Sequence, residues 1–407
     1  MAGSDVLFQE VAVGSALFRN RLIRAGTSES MADAESGLMT APLLDVYERL
    51  AANRVGGIIT GHLYVHPRGK YARGQTGIHD RSVVAGLRGL VDRVHRHDAI
   101  IFAQLAHAGS QTRVPGNRPV APSPVANPLT GAEVGEARSE EIGEAVEAFA
   151  GAAQRAVEAG FDGVHIHGAN GYLISEFGSP VTNRRLDHWG GSAEARGRFA
   201  IEIVKAVRAA VPSGYPVTMK IGLVDAVSGG LGLDESVARA GVLVGAGLDA
   251  IEVSCGLMQA PTDSAMTYVA VGPKRAAQDL LIHRVVAPPR PEAYFRPWAQ
   301  ALRARVDTKV ILVGGLRTTA TMRDVVNSGD ADLLAMARPL IREPELVAQI
   351  EAGRDGQVDC TSCNLCLMHE GHHPLQCWRT PKIRLLQHAI YRLGGGFKRG
   401  EVIPTRH

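Results

Sequence analysis

Apolar positions along the chain alternate between two periods. Short runs that are apolar throughout, or at every second position, are followed by stretches in which apolar residues return every three or four positions, the pattern of strand then helix. Residues 20–25, 55–61, 100–105, 163–167, 216–222, 250–256, 309–315 and 333–338 read as strands, with helical periodicity between them, clearest over 41–53, 83–97 and 139–160. Ser139 with Glu140 and Glu141 behind it reads as a cap with first-turn acids, and Gly160 closes that helix. The joins repeat. Ala159-Gly160-Phe161-Asp162, Ala246-Gly247-Leu248-Asp249 and Ser328-Gly329-Asp330-Ala331-Asp332 each cap a helix on glycine and turn through a small or acidic residue. Repeated strand–helix units imply a parallel α/β sheet, and eight of them predict a closed (β/α)8 TIM barrel rather than an open doubly wound sheet.

One join imitates a nucleotide motif. Gly245-Ala246-Gly247-Leu248-Asp249-Ala250 fits G-x-G-x-x-A, but it leaves a helix and enters a strand, the reverse of the order that fingerprint needs. Residues 113–138, rich in Pro, Gly and Asn, read as a long surface loop. Residues 257–296, with Pro288-Pro289-Arg290-Pro291 near the end, are a second excursion, lying over a barrel's active face or along plain surface.

The densest chemistry is His167-Gly168-Ala169-Asn170-Gly171-Tyr172, where a strand opens into the polar run 179–187 and the break Gly190-Gly191-Ser192. Alternation puts His165 and His167 on one face, His167 nearer the C-terminal end, where a barrel keeps its catalytic groups. Spacing alone is equally satisfied by a core histidine followed by turn-forming Asn and Gly.

Composition narrows the class. A chain of 407 residues with 45% apolar content can bury one barrel-sized core or two ordinary ones. A net charge of +3 gives no reason to expect nucleic acid or an anionic membrane as partner. Met1-Ala2-Gly3-Ser4-Asp5 has no leader pattern, and no run reaches the roughly 18 apolar residues of a membrane helix, so a soluble cytoplasmic protein is expected.

Five cysteines in so long a chain are no disulfide scaffold. Four crowd into Cys360-x2-Cys363-x2-Cys366-x10-Cys377, just past the expected barrel, which divides the chain into a barrel over 1–355 and a cysteine-rich extension over 356–407. Four thiolates so spaced can ligate a [4Fe-4S] cluster or a zinc ion, and His369, His372 and His373 between the last two keep zinc open.

Asn20-Arg21, Gln104-Leu105-Ala106-His107-Ala108-Gly109, the 167–172 core, Asn183-Arg184-Arg185-Leu186-Asp187, Gly190-Gly191-Ser192, Gly314-Gly315 and Arg338-Pro339 together resemble the Old Yellow Enzyme family of flavin-dependent oxidoreductases, over about residues 5–350. The resemblance implies a (β/α)8 barrel with FMN at its C-terminal mouth. It also implies NAD(P)H as reductant and a small-molecule substrate such as an α,β-unsaturated carbonyl. By the same resemblance, His167 and Asn170 donate hydrogen bonds to the substrate oxygen, and Tyr172 gives a proton to the α-carbon. Gln104 would bond the polar edge of the isoalloxazine, and Ala25, Gly26 and Thr27 would lie along the ring. Gly314, Gly315 and Arg338 would grip the phosphate, and Ser28 stands where relatives tune the flavin potential. Cys255 would be a small core residue beside the flavin.

Three departures stand out. Lys220 replaces an arginine near the flavin N1 edge, keeping the charge and losing the fork. His165 replaces an acid, which predicts a less negative barrel interior, and Ala337 replaces a glycine before the phosphate arginine. The run Cys363-Asn364-Leu365-Cys366 resembles the cluster segment of trimethylamine dehydrogenase and, less closely, 2,4-dienoyl-CoA reductase, which favours iron–sulfur over zinc. Those relatives continue into a nucleotide-binding half, whereas about thirty residues follow Cys377 here. A cluster would then exchange electrons with a separate protein or be structural, and the basic tail with Lys398-Arg399 and Arg406 is either a dock for such a partner or, the favoured reading, a solvated terminus. A homo-oligomer is compatible with all of this. Dehydrogenation of an amine or ketone by the same site, and a non-catalytic FMN/iron–sulfur electron carrier, are the alternative functions.

Overall fold

The computed structural model describes residues 5–128, 131, 133–258 and 292–396. Eight strands close a barrel: β1 Leu22–Arg24, β2 Gly57–Tyr64, β3 Ile100–Ala106, β4 Gly163–Gly168, β5 Val217–Ala226, β6 Ala250–Met258, β7 Lys309–Val313 and β8 Leu333–Met336. Each strand pairs in parallel with its neighbours in sequence, and β8 returns to β1. The predicted TIM barrel is therefore the observed architecture. Helices α1 Ala41–Ala52, α2 Val84–His95, α3 Ser139–Ala159, α4 Ala193–Ala210, α5 Leu233–Gly245, α6 Arg296–Arg303 and α7 Thr319–Asn327 surround it.

Local chemistry accounts for the repeat. Helix α3 buries Ile142, Ala145, Phe149, Ala152, Ala153, Ala156 and Ala159, one stripe at helical spacing whose alanines let it approach β3 and β4 closely. Gly160 caps it at φ 90°, a left-handed conformation that glycine adopts without strain. At its start Arg138, not Ser139, is the cap residue, and the Glu141 carboxylate accepts the Arg138 N–H at 2.9 Å. An acid one turn in thus does the work expected of the serine. The acids at the joins have a shared role. Asp162, Asp249 and Asp332 accept the backbone N–H of Ile101, Val217 and Val310 at 2.8, 2.8 and 2.9 Å, so each carboxylate pins the start of the preceding strand.

A hairpin of Val11–Val13 and Ala16–Phe18 plugs the N-terminal end of the barrel, with the Phe18 ring 5.5 Å from that of Phe102. The opposite mouth is left for polar groups. There β2 runs three residues beyond its expected end, through a register shift between Ile59 and His62. Strand β7 stops early instead, because Gly314 and Gly315 turn at φ 100° and 75°. Within the 113–138 loop, Val120–Ala121 and Gly135–Glu136 pair as a small parallel sheet. The 259–291 part of the second excursion and the basic tail lie outside the described residues.

Past the barrel come a short helix, Leu365–Met368, and α8, Lys382–Leu393. Leu365 and Trp378 are buried, while Ile383, Leu386, Ile390 and Leu393 are exposed. Among the described residues no helix is long and apolar enough to cross a membrane.

Candidate functional site

A cavity of about 600 Å³ opens at the C-terminal mouth, within the roughly 300–1,000 Å³ range of small-molecule sites. Its lining contains Ala25, Gly26, Thr27, Gln104, Lys220, Gly314, Gly315 and Arg338, together with His167, Asn170 and Tyr172. The residues that the resemblance named for the flavin and the substrate, Ser28 included, line it together.

Register explains the convergence. Gln104 lies beside His165 across β3 and β4, and His167, Lys220 and Glu252 lie side by side across β4, β5 and β6. Gln104 is buried, and its Nε2 has no hydrogen-bond partner among the described residues. A Cβ on Gly26 would stand 2.5 Å from that amide nitrogen, so a side chain there would displace the Gln104 amide. An unspent amide donor above a bare backbone fits the polar edge of a flat heterocycle such as isoalloxazine.

With His165 on β4, the barrel interior still holds a buried acid, from β6. Glu252, fully buried, ion-pairs with Lys220 on one oxygen and stands 3.0 Å from His165 Nε2 with the other. The acid expected on β4 is supplied by β6. Burial pushes the Glu252 carboxyl up, but Lys220 and His165 overcome it and hold the group down at about 2.

After β4 the chain reverses through Asn170 at φ 59° and Gly171 at φ 73°, left-handed positions that glycine and asparagine tolerate best. The Asn170 N–H donates to Cys255 O at 2.9 Å, and Gln111 Nε2 donates to Asn170 O at 2.8 Å. The reversal brings the Tyr172 ring edge-on to His167, centroids 4.8 Å apart. Burial, then Lys220 and the imidazoles of His62 and His165, keep His167 well below its ordinary value, so it is neutral. Its Nδ1 has no partner among the described residues. Burial, with Tyr71 and Glu370 nearby, holds the Tyr172 phenol well above its ordinary value. A neutral imidazole, a carboxamide and a protonated phenol are three uncharged polar groups suited to an oxygen that gains negative charge.

Cys255 does not reach the cavity; its thiol donates toward Val224 O at 3.4 Å, and Ser254 lines the wall instead. Several lining residues were not anticipated, among them His62, Tyr71, Arg113 and Glu370. His62 fell just past the end read for its strand, so a histidine at the C-terminal end of β2 was the available signal. Glu370 comes from the extension, and Ser30 Oγ donates to it at 3.4 Å. No local pattern announces that contact.

A second cavity of about 220 Å³ adjoins the first and is lined by Cys360, Cys363, Cys366 and Cys377. Arg338, Ile341, Asn364 and Cys366 belong to both walls, and Arg338 Nη1 donates to Asn364 Oδ1 at 2.5 Å. Among the described residues no group of three or more His, Cys, Asp or Glu is placed to hold a metal ion. Neither a zinc shell nor a cluster shell is therefore formed by these side chains among the described residues. Nor do the histidines complete such a shell. His369 stacks on Trp378 at 3.6 Å and meets His373 and His388 through its ring nitrogens at 2.9 Å each.

Residues 6–357 match the family described as NADH:flavin oxidoreductase / NADH oxidase. The NADH oxidase of Thermoanaerobacter brockii is 35% identical over 366 residues, covering 88% of this chain and 53% of its own. The 4,4'-dithiodibutanoate disulfide reductase of Rhodococcus erythropolis is 31% identical over 382 residues, covering 90% of this chain and 93% of its own. A solved 2-naphthoyl-CoA reductase–2-naphthoyl-CoA complex superposes with a TM-score of 0.82 at 24% identity, over 93% of this chain and 57% of that one, a likeness of fold. The chain thus spans about half the length of the Thermoanaerobacter NADH oxidase and of the 2-naphthoyl-CoA reductase chain, and nearly all of the Rhodococcus enzyme.

Proposed function

This chain belongs to the NADH:flavin oxidoreductase / NADH oxidase family, the Old Yellow Enzymes, and from that membership we propose that it reduces an activated C=C bond conjugated to a carbonyl, using electrons from NAD(P)H. FMN, bound at the barrel mouth, supplies the hydride when reduced. Gln104 would hold its polar edge, residues 25–27 its face, Lys220 its N1 side, and Gly314, Gly315 and Arg338 its phosphate.

The observation that carries the reading is the convergence of His167, Asn170 and Tyr172 on the wall that also holds Gln104 and Lys220. His167 and Asn170 donate to the substrate oxygen and stabilise its growing negative charge. Their neutrality lets them strengthen their bonds as charge develops, with no ion pair to break. Tyr172 delivers the proton to the α-carbon. An electron carrier without a small substrate has no use for such a pair.

The test is anaerobic. Prereduced protein is mixed with 2-cyclohexenone and flavin reoxidation is followed. His167→Ala with Asn170→Ala is expected to slow it about 10³-fold; wild-type speed in that variant rejects the assignment.

We also propose that the four cysteines hold a [4Fe-4S] cluster. Support comes from their close spacing in the sequence and from their meeting on the wall of one cavity. Thr361 Oγ1 and Trp378 Nε1 belong to residues lining that cavity and have no partner among the described residues, as donors to cluster sulfur would. The shared wall at Arg338, Asn364 and Cys366 gives electrons a short path between the two sites.

A further inference from the structure

A chain of hydrogen bonds fixes which ring nitrogen of His62 carries its proton. The Tyr71 backbone N–H, which can only donate, gives its bond to Gln75 Oε1 at 2.5 Å. That assigns the other end of the amide as the NH2, and it lies 2.6 Å from His62 Nδ1 and 2.9 Å from His62 O. Nδ1 must then accept, so the neutral ring carries its proton on Nε2. Burial pushes the His62 imidazole down to about 4, which keeps it in this neutral form at physiological pH. His62 Nε2 faces the Tyr172 hydroxyl oxygen at 3.5 Å, with the rings 5.5 Å apart edge to face. That contact is long, as acid–base contacts without substrate often are.

We propose that His62 is a positioning residue for Tyr172, donating from Nε2–H to the phenol oxygen and steadying the phenolate left after proton transfer. The inference rests on Tyr172 being the proton donor. In the step it serves, the Tyr172 O–H bond breaks and its electron pair stays on oxygen, while the carbanion pair of the reduced substrate forms the new C–H bond. The phenolate then accepts a strengthened bond from His62 and regains its proton from water. A buried tyrosine gives up a proton poorly unless such a donor meets the charge. The Tyr71 N–H and Gln75 set that donor's direction from outside the cavity chemistry.

Reoxidation of prereduced flavin by 2-cyclohexenone is compared in wild type, His62→Phe, His62→Gln, Tyr172→Phe and the His62→Phe/Tyr172→Phe pair. His62→Phe should slow the step roughly 10- to 100-fold, the worth of a hydrogen bond to a charged group. His62→Gln, whose amide NH2 takes the place of Nε2–H, should recover most of that rate. In the Tyr172→Phe background, His62→Phe should cost nothing further. Equal slowing in both backgrounds, or none in either, overturns the role of His62. A wild-type rate for Tyr172→Phe sinks the proton-donor reading itself, and this inference with it. An independent readout is the nitrogen-15 spectrum of labelled histidine: protonated Nε2 with bare Nδ1 is expected at His62, and the reverse tautomer refutes the proposal even where a variant misfolds.

Discussion

The barrel mouth and the cysteine-rich extension share a wall, yet they are built on opposite principles. The mouth stands on a closed sheet whose helices bury a continuous apolar core, so it can keep unpartnered polar atoms such as Gln104 Nε2 and His167 Nδ1 inside the fold. The extension has almost no such core. Leu365 and Trp378 are buried, but most of its interior is polar, with His369 and His388 at 1% and 0% exposure, and the apolar stripe of α8 faces outward. A scaffold that is stable without its ligand can be preorganised for catalysis. A segment that buries imidazoles in place of aliphatics would gain much of its stability from the cluster proposed for it.

Four experiments press on that contrast, beginning with the strongest. Lys220→Met leaves Glu252 buried without its closest cation, and loss of one partner of a buried pair costs about 3–5 kcal/mol, read as a fall in the denaturation midpoint. The same variant changes the acid limb. The folded Glu252 carboxyl sits at about 2 against an ordinary 4.5, so its contribution is present above pH 4.5 and lost as pH falls toward 2. Wild-type stability should therefore drop across that window, and Lys220→Met should flatten the drop.

Next, Phe149→Ala in α3 should cost about 3–5 kcal/mol as a core truncation, whereas Ile390→Ala in α8, at 62% exposure, should fall within about 0.5 kcal/mol. Equal costs would mean that the outer face of α8 is covered in solution. Anaerobic chelation of iron should raise amide exchange across 360–393 and leave the barrel strands protected. The smallest effect expected is at the half-exposed pair of His95 Nε2 and Asp162, 2.8 Å apart. Its hydrogen bond to Asp162 raises the imidazole above 6.5, so the pair's stabilisation is full below that value and fades as pH rises through the raised one. Solvent screening limits it to less than about 1 kcal/mol, and His95→Gln should erase that slope.

How much of this could be read in advance depends on the range of the interaction. Strand and helix periods and the Gly–Asp joins are local, and each appeared in the structure within a few residues of where the sequence put it. Residue types that the family resemblance named for the flavin site also met on one wall. What escaped was set by register. Glu252 reaches Lys220 and His165 only because β4, β5 and β6 align, and no local feature marks it. His62 escaped because β2 runs past Gly61 through a bulge. Glu370 escaped because a residue in a polar turn signals nothing until the extension folds over the mouth.

The most direct test of the two-cavity account is the cofactor content of anaerobically purified protein: flavin, iron, acid-labile sulfide and zinc per chain. The account predicts one FMN with about four iron and four sulfide, as a single [4Fe-4S] cluster requires. Flavin with zinc, or with no metal, would contradict the cluster, and protein without FMN would contradict the reading of the barrel mouth itself.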